Sequence, residues 1–233
     1  MFVGVLYNTV VCFIITIVSL LVFKHLRAMR KEKPRIYSEG LDYFCLTLGL
    51  LWFFVGLRTF FVWLGYLGLD EFIFKWFSGP LTYFHIIPLF FYFGWSFFKD
   101  KRTISTSFGL LFTVLTIAVI FTFYQYGFTR GEVTYGGTDF TPNERTNKLF
   151  TYGIFLPLLV CMIVEFLKRV GEWRRTKDIT QRQLFGFSVG FLIYALMGIF
   201  DALGIAQDWL ILLVRIGVML SPLTFYIFTT WSD

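Results

Sequence analysis

The stretch FVGVLYNTVVCFIITIVSLLVF, residues 2–23, decides the class of fold to which this chain belongs. It contains no charged side chain and is rich in Val, Ile, Leu and Phe. A helix needs about 20 mostly apolar residues to cross the hydrocarbon core of a bilayer. Residues 2–23 therefore predict a membrane-spanning helix. Because no basic segment or cleavage site precedes it, we expect no removed signal peptide.

Stretches of the same kind recur along all 233 residues. Hydrophobic residues make up 57% of the chain and charged residues 15%, and the mean hydropathy is +0.69. Soluble domains carry about 25% charged residues. We predict an all-α polytopic membrane protein, a single seven-transmembrane-helix bundle over residues 1–233. The predicted spans are about 2–23, 41–66, 80–98, 105–126, 149–167, 185–205 and 209–231.

The distribution of Lys and Arg predicts the orientation of this bundle. Fifteen cations fall in alternate connections: Lys24, Arg27, Arg30, Lys31, Lys33, Arg35, Lys99, Lys101, Arg102, Lys168, Arg169, Arg174, Arg175, Lys177 and Arg182. The other connections hold Lys75, Arg130, Arg145 and Lys148. Cytoplasmic loops carry the excess of positive charge, so we predict the N-terminus outside and the C-terminus in the cytoplasm. The alternative to this topological role is a functional one, in which the basic loops form a patch for anionic lipid or nucleic acid.

Two connections on the predicted outer side have structure of their own. Residues 127–148 form the longest loop, and its core alternates around Gly136-Gly137, which is the signature of a two-residue β-hairpin. We expect a small hairpin lid. Residues 68–79 are aromatic and amphipathic, which is typical of a short helix lying in the membrane interface.

The connection of residues 168–183 lies on the predicted cytoplasmic side and is strongly charged. We expect it to extend the fifth and sixth helices beyond the membrane, either as a solvated hairpin or as a surface for a protein partner. Glu165, near the inner end of the fifth span, is expected to pair with Lys168 or Arg169 across a helical turn.

The most informative residues are four ionisable groups inside four different spans: Arg58, His85, Asp201 and Arg215. Counting a rise of about 1.5 Å per residue from the span ends places all four in the outer part of the bundle. Helical spacing turns Asp201 and His85 towards the interior. Ionisable residues inside membrane segments suggest a functional site. Three tyrosines complete the predicted ligand-binding set: Tyr7, Tyr83 and Tyr194.

The charge count of this layer favours a binding pocket. Two arginines face one aspartate, so one cation needs water, a backbone carbonyl or an anionic ligand. We therefore predict an outward-facing polar pocket for a small anionic or amphiphilic molecule. In the alternative interpretation, the arginines reach up to the headgroups, Asp201 neutralises one of them, and His85 is a neutral core residue.

Several classes of function lack the residues that they need. No Lys lies within the last span to hold a retinal, and His85 has no second intramembrane His for haem. The three cysteines, Cys12, Cys45 and Cys161, form no metal or disulfide pattern. No protease, phosphate-loop or hydrolase motif occurs. We expect no enzyme activity, no cofactor, no metal and no nucleic-acid partner.

The overall pattern resembles the N-terminal seven-helix membrane sensor region of bacterial histidine kinases. The resemblance rests on the N-out topology, the aromatic segment between the second and third spans, the sequence from Gly79 to Gly94, the long loop before the fifth span, and Gln181-Arg-Gln183. It covers nearly the whole chain, at the level of a hydropathy profile. It implies an extracytoplasmic signal passed inwards through the last helix. Those proteins continue into a kinase or cyclase domain, so this chain is expected to be either a truncated sensor or one that works through partner chains.

The sequence thus predicts a non-enzymatic, receptor-like sensor in a bacterial inner (cytoplasmic) membrane, surrounded by membrane lipids. An accessory or anchoring subunit of a larger membrane complex is the alternative, because 32 Phe residues would also suit contacts with partner helices. A small transporter or channel is a weaker third hypothesis, since the middle of the predicted bundle is mostly apolar.

Overall fold

The computed structural model describes residues 2–32, 39–99, 101–134, 136–176, 178–202 and 209–230. It is a helical bundle with one β-hairpin. The helices are α1 (Phe2–Glu32), α2 (Glu39–Trp63), α3 (Leu67–Ile73), α4 (Gly79–Phe84), α5 (Ile87–Phe97), α6 (Arg102–Tyr126), α7 (Glu144–Phe150), α8 (Leu156–Thr176), α9 (Ile179–Ala202) and α10 (Leu210–Thr230). The two strands are β1 (Phe128–Thr134) and β2 (Gly137–Pro142).

Six helical segments of the described chain are long and apolar enough to cross a membrane. They are Val3–Lys31, Gly40–Trp63, Arg102–Tyr126, Glu144–Thr176, Ile179–Phe200 and Leu210–Thr230. Each corresponds to one predicted span, which supports the prediction of a helical membrane protein. The segment Glu144–Thr176 begins before the predicted boundary at residue 149 and continues past residue 167, so α8 does extend into the basic connection.

The remaining predicted span, residues 80–98, is not one continuous helix. It consists of α4 and α5, which are separated by a turn at His85 and Ile86. Pro88 is the second residue of α5 and has no N–H to donate to the preceding turn. Thr47 of α2 instead donates its hydroxyl to the carbonyl of His85, at 3.1 Å. The proline thus interrupts the helix, and a neighbouring side chain satisfies a carbonyl at the break.

Two other prolines follow short π-helical turns. The segment Phe74–Ser78 joins α3 to α4, and Pro80 follows it. The segment Thr151–Phe155 joins α7 to α8, and Pro157 follows that one. Because a proline cannot donate to the carbonyl four residues earlier, a locally widened helix is a common way to continue past it. α3 and α7 are therefore extensions of longer helical segments.

The core of the bundle is strongly aromatic. The side chains of Phe44 on α2, of Phe90, Tyr92 and Phe93 on α5, and of Phe191 on α9 are fully buried. The rings of Phe93 and Phe191 lie 5.3 Å apart, centroid to centroid, at an angle of 64°. Such edge-to-face pairs add to the stabilisation that burial itself provides. The short helix α5 therefore lies in the interior, packed against α2 and α6.

The contact between α9 and α10 depends on small residues. A Cβ atom at Gly186 would collide with the side chain of Phe228, and one at Gly190 would collide with Phe225 and Thr224. Glycines four residues apart on one helix let a second helix approach closely, and Gly186 and Gly190 have this spacing. The last two helices are consequently packed tightly together.

The strands β1 and β2 pair antiparallel, with Phe128 opposite Pro142 and Thr134 opposite Gly137. The hairpin lies at the end of the bundle where α2 ends and α10 begins; we call this the hairpin end. Its inner strand is β2, in which Gly137, Thr138 and Phe140 are buried. The basic ends of α1 and α8 lie at the opposite end, which we call the basic end.

Candidate functional site

Arg58 connects three elements at the hairpin end. It lies near the end of α2, and its side chain is 11% exposed. Its Nε donates a hydrogen bond of 2.8 Å to Oδ1 of Asp70 on α3, and a terminal nitrogen donates one of 2.5 Å to the carbonyl of Thr138 on β2. The Asp70 side chain is fully buried. A single guanidinium therefore joins α2, α3 and the hairpin.

Two aromatic rings complete the surroundings of this guanidinium. Phe74 and Phe140 stack with their centroids 4.3 Å apart. The Arg58 Cζ atom lies 5.0 Å from the Phe74 centroid and 4.7 Å from that of Phe140. The faces of aromatic rings attract cations, and the attraction grows as water is removed. We call Arg58, Asp70, Thr138, Phe74 and Phe140 the Arg58 cluster.

The Arg58 cluster contains buried polar atoms that no described group satisfies. They are Oδ2 of Asp70 and Oγ1 of Thr138. A buried polar atom without a hydrogen bond is costly, so such atoms in a native protein call for an explanation. A water molecule or a polar group of a ligand would satisfy them. Arg58 also has five N–H groups, two of which make the hydrogen bonds described above.

The hairpin tip is inserted between helices. Asn8 of α1 donates from Nδ2 to the Gly136 carbonyl at 3.0 Å. Gly137 has a φ of +98°, and a Cβ there would lie 2.9 Å from Cγ2 of Thr59 on α2. A Cβ at Gly136 would collide with Ile211 of α10. Gly137 is thus needed for its positive φ, and both glycines are needed for the close approach.

Arg215 on α10 contacts α2. Its Cζ atom is 4.7 Å from the ring centroid of Trp52, six residues before Arg58. Asp201 belongs to α9, but its side chain lies outside the described residues, and so does its predicted pairing with Arg215.

His85 and Tyr194 form a second polar contact, at the break between α4 and α5. His85 is 3% exposed, and its Nδ1 lies 3.0 Å from the Leu81 carbonyl. Since a carbonyl only accepts, Nδ1 donates to it, and Nε2 shares a hydrogen bond with the Tyr194 hydroxyl. This hydrogen bond connects the broken helix to α9. His85 therefore has two hydrogen-bond partners inside the bundle.

The other two tyrosines of the predicted site lie away from the Arg58 cluster. Tyr7 on α1 is 60% exposed, on the surface of the bundle. Tyr83 is buried, and its ring packs against Phe123 and Phe150, at centroid distances of 5.9 and 5.1 Å. Its neighbours are thus aromatic side chains of α6 and α7.

The sequence interpretation missed Asp70. It was assigned to the polar face of an interfacial helix, whereas the structure buries it against Arg58. The count of two arginines for one aspartate was therefore incomplete, because Arg58 has a carboxylate partner of its own. The available signal was the position of Asp70, twelve residues after Arg58 and at the same end of the bundle.

A second buried polar network lies at the basic end, around Glu165 of α8. Its Oε2 accepts from Ser96 at 2.6 Å, and its Oε1 accepts from Arg169 at 2.7 Å and from Tyr92 at 3.1 Å. Arg169 also contacts Glu172 at 2.6 Å, and Lys168 Nζ donates to the Ser96 carbonyl at 2.7 Å. The expected pairing of Glu165 is thus with Arg169. We call these six residues the Glu165 cluster.

Within the described parts of the chain, no three His, Cys, Asp or Glu side chains come together as metal ligands. No protein-family model, curated protein or solved structure matches the chain significantly.

Proposed function

We propose that this chain is a non-enzymatic, receptor-like membrane protein that binds a small anionic or amphiphilic ligand at the Arg58 cluster and signals through partner proteins. In this proposal the hairpin end faces outwards and the C-terminus faces the cytoplasm of a bacterial cell, as the loop charges indicate. α4 and α5 together form a seventh, broken crossing. With the turn between them they cover about 28 Å, close to the thickness of the hydrocarbon core.

The observation that carries the proposal is the state of the Arg58 cluster. Arg58 is a buried cation beneath the hairpin, and two of its five N–H groups make the hydrogen bonds described above. The Thr138 hydroxyl beside it can also donate to an anionic group, whereas Oδ2 of Asp70 needs a hydrogen-bond donor, such as a water molecule or a hydroxyl of the ligand. An anionic group would compete for Arg58 with the Thr138 carbonyl, which is the weaker of its two acceptors because it is uncharged. A ligand that wins this competition removes the link between α2 and the hairpin.

The contacts of the hairpin tip offer a route for the signal. The tip touches α10 through Gly136 and Ile211, so a displaced hairpin changes the packing at the start of α10. α10 contains Pro222 and packs closely on α9. Near its other end, Thr229 shares a hydrogen bond of 3.0 Å with His25 of α1. A tilt of α10 would therefore reach the basic end.

The test is a ligand screen on the full chain in lipid nanodiscs, with acetate, benzoate, hexyl phosphate and oleate as probes. At a hundred times its dissociation constant, a bound probe stabilises the folded state by about 2.7 kcal/mol and raises the midpoint of thermal unfolding. We expect a shift with at least one probe. Arg58→Lys should abolish it, because lysine lacks the planar set of donors, and Arg215→Lys should weaken it.

Arg130→Lys is the matched control, since Arg130 is a hairpin residue that is 33% exposed and 3.8 Å from Glu71. It should leave the shift unchanged. Spin labels on Glu132→Cys in β1 and Leu213→Cys in α10 should also report a distance change when the probe binds. The proposal fails if no probe shifts the midpoint, or if the shift survives both Arg58→Lys and Arg215→Lys.

A specific observation also favours the second candidate, an accessory subunit of a membrane complex. Leu69, Phe72 and Trp76, on and after α3, are 45%, 53% and 52% exposed and form an apolar surface. Such a surface suits a partner helix, although aromatic residues are also common at the headgroup level. Purification in a mild detergent distinguishes the two: a stable companion protein that is lost on Phe72→Ser and Trp76→Ser would favour the subunit.

A further inference from the structure

The basic end contains a cavity that the proposed receptor function does not use. It has a volume of about 270 Å³ and lies between the end of α5, the last turns of α8 and the start of α9. The residues that line it include Ser96, Lys99, Lys168, Arg169, Glu172 and Gln181. A second cavity, of about 320 Å³, shares Ser96, Lys99 and Lys168 with the first and adds Lys101.

Most of the charged side chains that line these two cavities are positive. Lys99, Lys101, Lys168 and Arg169 line the two cavities, against the single lining carboxylate of Glu172. The positive charges of Arg169 and Lys99 both repel that of Lys168. The nearby carboxylate of Glu165 is already occupied by Arg169, Ser96 and Tyr92. An anion in the cavity would relieve the repulsion between the lysines.

The hydrogen-bonding groups of the cavity also have spare capacity. Lys168 Nζ donates to the Ser96 carbonyl at 2.7 Å and makes a longer contact of 3.4 Å with the Ser96 hydroxyl. An ammonium has three N–H groups, so at least one remains. Independently, Oε1 of Gln181 is buried and has no hydrogen-bond partner among the described residues. A side-chain amide can present either its oxygen or its nitrogen to a ligand, so this group is available to one.

We infer that this cavity binds a phosphate group. Lysine ammonium groups act as compact point charges towards phosphate oxygens, and the surrounding hydroxyl and amide groups can complete the hydrogen bonds. Basic pockets between membrane helices commonly hold phospholipid headgroups. The two sources of this chemistry are an anionic phospholipid and free phosphate. The site lies at the opposite end of the bundle from the Arg58 cluster, so this inference does not depend on the proposed receptor function.

The experiment measures lipid retention by native mass spectrometry. The full chain is purified in mild detergent and titrated with phosphatidylglycerol or phosphatidylcholine at 150 mM salt. We expect one phosphatidylglycerol per chain, bound at least about tenfold more tightly than phosphatidylcholine, since each of two lysines near an anionic headgroup contributes about fivefold. Lys99→Gln with Lys168→Gln should remove this preference. Lys99→Gln alone should reduce it about fivefold; Lys99 is exposed, so this variant tests the site without disturbing the core.

Arg174→Gln is the matched control. Arg174 is an exposed cation of α8, two residues after Glu172 and therefore on another side of the helix. It should retain the preference within about twofold, because exposed charges at a distance are screened by salt. In a parallel arm, 10 mM inorganic phosphate competes with the lipid. Displacement of the lipid would identify free phosphate as a ligand of the site, and no displacement would identify the lipid headgroup. The inference would be overturned if Arg174→Gln reduced the preference for phosphatidylglycerol as much as Lys99→Gln does. It would also be overturned if the unmodified chain bound the two lipids equally well.

Discussion

The Arg58 cluster and the Glu165 cluster solve the same problem in different ways. Each buries an arginine against a carboxylate, at 2.8 Å and 2.7 Å respectively. The Glu165 pair lies within one helix, at positions four residues apart, and serine and tyrosine side chains satisfy the carboxylate further. The Arg58 pair joins two helices and a hairpin, and leaves Oδ2 of Asp70 unsatisfied. The carboxylate of Glu165 is thus fully satisfied, whereas that of Asp70 has room for another polar group.

This difference suggests a division of roles. A fully satisfied buried network rigidifies the elements that it joins, while a partly satisfied one retains a cost that a ligand can relieve. The Glu165 cluster accordingly fixes α8 to α5. The Arg58 cluster holds the hairpin by contacts that a competing group can replace. Four substitutions test this comparison, all through the free energy of unfolding in bicelles.

Glu165→Leu should have the largest effect. It leaves Arg169 without its main partner and removes the acceptor of Ser96 and Tyr92, so we expect a loss of about 4 kcal/mol. Glu165→Leu with Arg169→Met should recover part of this loss, because no buried charge then remains unpaired. Glu144→Leu is the control, since Glu144 pairs with Lys148 on the exposed surface of α7 and should have no measurable effect. A double variant that is less stable than Glu165→Leu would contradict this account.

Asp70→Asn should have the second largest effect, lowering the free energy of unfolding by about 3 kcal/mol, because it leaves the Arg58 guanidinium buried without a countercharge. It should also increase hydrogen exchange of the β1 and β2 amides, since Arg58 holds the hairpin. The adjacent Glu71→Gln is the matched control, because Glu71 is 48% exposed and lies 3.8 Å from Arg130. If the two variants were equally stable, the Arg58 cluster would not hold the hairpin.

Gly137→Ala tests the insertion of the hairpin tip. With a φ of +98° and Thr59 2.9 Å from the new Cβ, alanine should cost about 2 kcal/mol and loosen the hairpin. Gly68→Ala is the comparison, because nothing lies within 4 Å of a Cβ there and a helix favours alanine. Gly68→Ala should leave the stability equal or slightly higher. Protection of the hairpin amides unaltered by Gly137→Ala would argue against an inserted tip.

Tyr194→Phe should have the smallest effect, about 1 kcal/mol, because it removes the hydroxyl that bonds to His85 and leaves the ring in place. Tyr226→Phe is the control, since Tyr226 is 43% exposed. A loss with Tyr194→Phe as small as that of the control would mean that the contact between α9 and the helix break contributes nothing.

Contacts between residues close in the sequence could be predicted from it, whereas contacts between distant segments could not. The apolar stretches predicted the six continuous helices, because length and hydropathy are local properties. The pairing of Glu165 with a basic residue one helical turn later could also be predicted from the sequence. The span predicted over residues 80–98 is divided at His85 and Ile86, because Pro88 has no N–H to donate to the preceding turn. The partner of Arg58 could not be predicted from spacing, since it depends on how α3 folds back on α2.

The sequence by itself determined that this chain forms apolar helices of membrane-spanning length, because the hydrophobic effect and backbone hydrogen bonding act on each stretch separately. It also indicated a hairpin turn at Gly136-Gly137, whereas in the structure Gly137 is already the first residue of β2 and lies opposite Thr134. The tertiary structure alone decided that Asp70 neutralises Arg58, that the hairpin tip enters the bundle, and that lysines of separate elements surround one cavity. These outcomes depend on packing between distant segments, about which no local pattern carries information.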